Sequence, residues 1–292
     1  MAVVVWSVLV CSVVVGSTAT NFANAATAPR PSQAPSSSST LAAKYHQLKN
    51  ELAQSVFGSP ILINTETGDK LARGEVYALL EAPFPSLAKT LAQPAQWCEL
   101  AILHINIKTC LYRPDQVQFF VGRKHYQTPD EAFDLQYRFE QLANDNEYLN
   151  IKLTAPDGPL GTADYLINLE AIPVDEQHSF IRFDYRYSFG FIANIAMQTY
   201  LNTLGRDKVG FTKIGTDDNG EPIFIKGLQG VIERNVMRYV FAIQSVLEAR
   251  KSTDEYRHTA QLVRWYAHIQ EHPKQLVELT REEYMSNKQR ER

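Results

Sequence analysis

The side chains able to do chemistry are few and far apart in this sequence. His104 follows Leu103 at the start of an apolar segment, where an imidazole facing a cavity can act as acid or base, and Arg123, His125 and Tyr126 cluster shortly after the next strand. His268 and His272 stand four apart, on one helical face and at a spacing that can chelate zinc. A third ligand is missing, because Glu271 falls on another face and His258 lies more than two turns back, so no metal site is expected. Asp217-Asp218-Asn219-Gly220 lacks the alternating ligands and closing glutamate of a calcium loop and reads as a hairpin turn. No G-x-S-x-G elbow, glycine-rich phosphate loop, H-E-x-x-H or paired C-x-x-C occurs. No cofactor is therefore expected, and His104 is the catalytic candidate named by number, with a tyrosine as the alternative acid or base.

Composition narrows the partners. The chain has 292 residues, 45% hydrophobic, with 29 Lys and Arg against 32 Asp and Glu. It can bury a sizeable core and carries no basic excess for a phosphate backbone, so nucleic acid is excluded as a partner. The apolar run Ala2 to Gly16 is shorter than the roughly 20 residues a membrane helix needs. Ala23-Asn24-Ala25 follows it, the small-residue pattern that precedes signal cleavage, although no Lys or Arg precedes the run. Residues 1–25 are read as a signal peptide, and the mature chain as an exported, periplasmic product of a bacterium with no transmembrane segment. Export leaves Cys98 and Cys110 in an oxidising compartment. A continuous strand would hold their Cα atoms beyond the roughly 7 Å limit of a disulfide, whereas a helix ending near Leu100 and folding back would bring them together. A disulfide and a pair of buried thiols both stay open.

The elements that must position these residues follow from periodicity. Residues 26–40 are rich in Pro, Ser and Ala and read as a disordered linker. Leu41, Tyr45, Leu48, Leu52 and Val56 recur at helical spacing, so 41–69 is read as a helix to Phe57 and a connector. Strands are expected at 74–82, 103–112, 116–122, 132–143, 147–155, 162–173 and 178–189, with a helix at 85–101 after the first. The short connections favour antiparallel pairing. Phe133, Leu135, Tyr137 and Phe139 alternate with polar residues, as do Ile181, Phe183, Tyr185, Tyr187 and Phe189, so one face of the sheet is apolar. Helices follow at 191–204, 228–249, 253–271 and 273–288, with a hairpin at 209–226. Ile232, Val236, Tyr239, Val240, Ile243, Val246 and Leu247 make an apolar stripe on the second, with Glu233, Arg234, Arg238 and Glu248 mostly off it. Glu282, Glu283, Lys288, Arg290 and Arg292 read as a solvated helix end.

A strand, a helix, six strands in meander and a long amphipathic helix resemble the START-like (SRPBCC, helix-grip) superfamily over residues 70–250. The stretches EVYALLEAPFPSLAKTLAQPAQWCELAILHINIKTC, GPLGTADYLINLEA and GVIERNVMRYVFAIQSVLEA look like those of uncharacterised exported bacterial members. The resemblance implies an α+β fold in which a curved antiparallel sheet of about seven strands wraps a long helix, with 251–292 as a helical extension. Residues 190–227 depart from the family pattern: either the 191–204 helix grips the sheet, or this insertion is a lid and the 228–249 helix grips it. The resemblance also implies a tunnel between sheet and helix, lined here by Tyr137, Phe139, Tyr185, Tyr187, Phe189, Val236 and Tyr239. Burying a twelve-carbon chain in it, at about 0.8 kcal/mol per CH2, offers roughly 10 kcal/mol before ordering costs. The expected function is a carrier or sensor of a lipid or other hydrophobic small molecule, with transient membrane contact left open. The alternatives are an enzyme of the same superfamily, cyclase or hydrolase-like, using a cavity His or Tyr, and a non-catalytic interaction module whose extra helices expose an apolar stripe at 253–288.

Overall fold

Strict alternation of buried and half-buried side chains along Leu71–Leu80 marks a strand with one face against the core, and the same period runs through most of the chain up to residue 189. The computed structural model describes residues 37–68, 70–191, 203 and 205–291. The proposed signal peptide, most of the linker and most of the 191–204 helix lie outside the described residues.

Eight strands form one antiparallel sheet: β1 (Ile61–Thr67), β2 (Leu71–Leu80), β3 (Ile107–Arg113), β4 (Gln116–Val121), β5 (Phe133–Asn144), β6 (Leu149–Asp157), β7 (Thr162–Pro173) and β8 (Ser179–Phe189). Their order is β1-β2-β8-β7-β6-β5-β4-β3. β3 to β8 run as a meander, and β8 then pairs with β2, which carries β1 at the edge. Ile61–Thr67 is an addition to the expected strands: a connector was expected there, and it is a hairpin partner of β2.

Between β2 and β3 lie α2 (Phe84–Leu91) and α3 (Pro94–Ala101), where one helix at 85–101 was expected. Pro94 explains the break, since it cannot donate to the preceding turn. A disulfide joins Cys98 on α3 to Cys110 on β3 with Cα atoms 5.3 Å apart. The helix-then-return geometry thus brings them within bridging distance.

One face of the sheet receives α4 (Gly227–Glu248). Gly74 on β2 is the point of closest approach: a Cβ there would sit 2.6 Å from Val236 Cγ1 and 2.8 Å from Ile232 Cγ2. The other face is covered by α1 (Ser37–Ala53), whose Leu41, Leu48 and Leu52 pack with Tyr148, Ile172 and Phe180. This helix begins inside the stretch read as linker and stops four residues earlier than expected. On the same outer face Arg182 donates to Glu75 at 2.7 Å and Glu170 at 2.6 Å, and Arg73 to Asp184 at 3.0 Å. Burial alone would lower the Arg182 pKa, but these carboxylates more than offset it and hold the guanidinium charged.

The helices after α4 cover its far side: α5 (Asp254–Gln270), the short α6 (Pro273–Leu276) and α7 (Arg281–Arg290). Trp265, Tyr266 and Tyr284 belong to the same apolar cluster as the sheet and α4. That packing corrects two expectations. Glu233, Arg234 and Arg238 are buried rather than solvated, because α4 is enclosed on nearly every side. The 273–288 segment is two helices, the second opened by a Thr280–Glu283 capping box. A two-stranded hairpin, β9 (Lys213–Thr216) and β10 (Pro222–Phe224), turns on Asp217 to Gly220, with Gly220 at φ +85°.

Candidate functional site

A cavity of about 340 Å³ lies between the sheet and α4. Tyr137 and Leu135 enter it from β5, Tyr165 from β7, Tyr185 and Tyr187 from β8, and Asn235 and Tyr239 from α4. The period of two sends every second strand residue inward, and 235 and 239 are one turn apart on the helix, so one register delivers several phenols to one space. His104, Asn106 and Ile107 close one wall from the α3–β3 connection, and Pro159, Leu160 and Thr162 close another from the β6–β7 turn. Leu160 sits in the left-handed region at φ 57° with its side chain half exposed at the rim.

Of the seven residues named for a tunnel lining, Tyr137, Tyr185, Tyr187 and Tyr239 border this cavity. Phe139, Phe189 and Val236 are buried in packing elsewhere, Val236 against Gly74. Phe133 is 48% exposed, so the inward face of β5 begins only at Leu135. The alternation in β7 pointed equally to Tyr165, which the sequence reading passed over, and no local signal marked Asn106 or Asn235. None of the described residues 205–226 lines the cavity.

Tyr165 donates to Thr162 Oγ1 at 2.8 Å. The hydroxyls of Tyr137, Tyr185, Tyr187 and Tyr239 make no hydrogen bond to any described residue. Burial pushes all five phenols up, so they stay protonated and offer donors to a guest. Their rings pack on one another: Tyr165 stacks on Tyr187 at 5.2 Å between centroids, and Tyr185 meets Tyr239 at 5.9 Å.

His104 is 4% exposed and stacks on Tyr239 at 5.2 Å. Its Nδ1 accepts the backbone N–H of Asn106 at 3.2 Å, and its Nε2 is buried and makes no well-formed hydrogen bond to a described residue. Burial first, then the charges of Arg238, Lys288 and Lys108, hold its pKa well below the ordinary histidine value, and a weak hydrogen-bonding contact with the Asn235 side chain acts in the other direction. The ring is neutral, and with Nδ1 accepting, its proton is on Nε2.

The backbone that carries His104 is held from behind by α7. Lys288 donates to His104 O at 2.8 Å, Ile107 O at 2.7 Å and Glu291 Oε2 at 2.8 Å. Lys108 donates to Ile105 O and His125 O at 3.1 Å and to Glu291 Oε1 at 2.8 Å, and the Tyr284 hydroxyl donates to Leu103 O at 2.9 Å. Lys288 is 1% exposed, and burial lowers its pKa to about 8 against the pull of Glu291. Of the helix end expected to be solvated, Glu282, Glu283 and Arg290 are exposed, whereas Lys288 is buried and acts as a strut. The Arg290 guanidinium lies 3.5 Å from the centre of the Tyr126 ring, and Arg123 N donates to Gln127, so the 123–126 cluster is part of the same scaffold. His268 pairs with Glu248 at 3.2 Å and His272 stacks on Phe241; no group of residues able to hold a metal occurs among those described. Asp217 Oδ1 accepts from Asn219 N and Glu221 N, which fixes a turn.

An antiparallel sheet packed on one long helix, with a cavity between them, is the helix-grip arrangement, and this α+β chain has that fold. Solved structures similar to it include a point mutant of norcoclaurine synthase from Thalictrum flavum in complex with a transition state analogue (10% identity, 64% of this chain and 100% of that chain covered, TM-score 0.37). Others are the protein XoxI from Bacillus cereus (9% identity, 62% and 99% covered, TM-score 0.33) and a START superfamily protein from Mycobacterium smegmatis (11% identity, 46% and 94% covered, TM-score 0.30). No protein-family model and no curated protein matches the chain. No helix among the described residues is long and apolar enough to cross a membrane.

Proposed function

We propose that this protein is an exported carrier or sensor that takes one hydrophobic small molecule into the cavity between sheet and helix. The observation that carries the proposal is the cavity itself, about 340 Å³ of mostly apolar wall studded with phenol hydroxyls. That volume is at the low end of the roughly 300–1,000 Å³ typical of small-molecule sites. It suits a single-chain lipid or a compact aromatic molecule, and is small for a two-chain lipid. The export half of the proposal is supported by the apolar run 2–16, by Ala23-Asn24-Ala25, and by a disulfide, which an oxidising compartment preserves.

The test is native mass spectrometry of protein purified from its own cell envelope, followed by extraction into organic solvent. A stoichiometric adduct recovered in the extract is the expected result. Protein that carries no adduct and takes up no apolar probe in solution overturns the proposal.

A second reading is favoured by the state of His104. A neutral imidazole whose ring lines a cavity is also what an enzyme of this superfamily needs for proton transfer, and unchanged turnover of a found substrate by His104→Gln would exclude it. The interaction-module reading loses its motivation, since Leu262, Trp265, Tyr266 and Ile269 of α5 are buried and leave no apolar stripe exposed.

A further inference from the structure

The wall of the cavity that carries His104 is backed by more cations than carboxylates. Lys108 and Lys288 share the two oxygens of Glu291. Arg238 donates to Glu278 Oε1 at 2.5 Å, and the same carboxylate also takes Lys124 and Lys208. Among the described residues these five cations meet two carboxylates, and Arg234 adds its field to that of the Glu278 group. Outside the described residues the sequence holds a single acidic side chain, Asp69.

This surplus reaches the cavity at His104. The charges acting on its ring are those of Arg238, Lys288 and Lys108, all of which repel a second proton. A potential that repels a proton attracts a negative charge brought to the same place. Nε2–H is aimed by the Asn106 N–H···Nδ1 contact on the opposite side of the ring; it is buried and makes no well-formed hydrogen bond to a described residue, the Asn235 side chain being its one weak polar contact. The Asn235 side chain stands on the same stretch of wall. The rest of the lining is largely aromatic and apolar, with Leu135, Tyr137, Tyr165 and Tyr187.

Resting on the cavity as a ligand site, we infer that its guest is an apolar monocarboxylate whose carboxylate accepts from His104 Nε2 at the cationic wall while its chain or ring lies among the tyrosines. Burying an anion costs heavily unless it is met by charge and by donors, and this end of the cavity supplies both. A neutral alcohol gains the donor but not the field. An ammonium gains neither.

Calorimetric titration of the full chain at neutral pH with decanoate, decanol and decylamine tests this, since the three share one chain and differ in head-group charge. Decanoate is expected to bind about ten- to a hundredfold more tightly than decanol, with decylamine weakest. His104→Leu is expected to bring decanoate down to the affinity of decanol. Should that variant fail to fold, the ranking on the unaltered protein decides alone. Decanol or decylamine binding as tightly as decanoate overturns the inference and leaves the ligand site standing, whereas heat from none of the three overturns the ligand site and the inference together.

Discussion

A histidine that accepts a backbone N–H on one nitrogen and is sealed from water on the other side has lost its normal route to a second proton. For His104 this couples protonation to folding. The unfolded chain takes up the proton near the ordinary value of 6.5, whereas the folded chain takes it up only well below that. The unfolded state therefore binds more protons in that window, and the stability present above 6.5 is lost as pH falls. His272, lowered chiefly by burial, acts in the same sense. Urea unfolding between pH 7 and about 5 is expected to show stability falling with acid, and His104→Gln to flatten the slope by up to about 1.4 kcal/mol per pH unit. At this scale the sequence was half legible. Alternation told which tyrosines face inward, but it could not say where along β5, β8 and α4 the space between sheet and helix opens. Phe139, Phe189 and Val236 share faces with true lining residues and are consumed by packing. Lys108 and Lys288 were invisible for another reason, since a lysine at a strand start or near a helix end is normally solvated and only distant chain segments make these two otherwise.

The elements meet most tightly where β2 passes under α4. With no side chain at Gly74, Val236 and Ile232 come down onto the strand backbone. Gly74→Ala is expected to push the helix off the sheet, costing about 1–3 kcal/mol in chemical denaturation and altering the cavity that the same helix roofs with Asn235 and Tyr239. Strands were the most legible elements because each has one buried and one wet face. β1 escaped notice since, as an edge strand, it buries only Ile61 fully and so alternates weakly. The helix breaks were readable in principle: Pro94 and the Thr280-Arg281-Glu282-Glu283 box both announce a new helix start, and continuous apolar spacing across them masked the signal.

Across the whole molecule, α5 to α7 share the core of the sheet rather than forming an appendage. Removing residues 281–292 takes away Glu291, the carboxylate of Lys108, together with the buried Tyr284 and Lys288. A loss of about 3–5 kcal/mol is expected by urea denaturation, together with faster amide hydrogen exchange at residues 103–108, the backbone that α7 braces. An element order of strands followed by a long helix made the sheet-and-helix core foreseeable. The later helices lie outside that pattern, and their place against α4 depends on contacts that no local period encodes. His104 stands midway round the covalent ring closed by Cys98 and Cys110. Reduction would open that ring while the packing of α3 and β3 persists, freeing the arc between them to wander; a shift toward thiol-rich surroundings would register as weakened grip on the guest before any general unfolding.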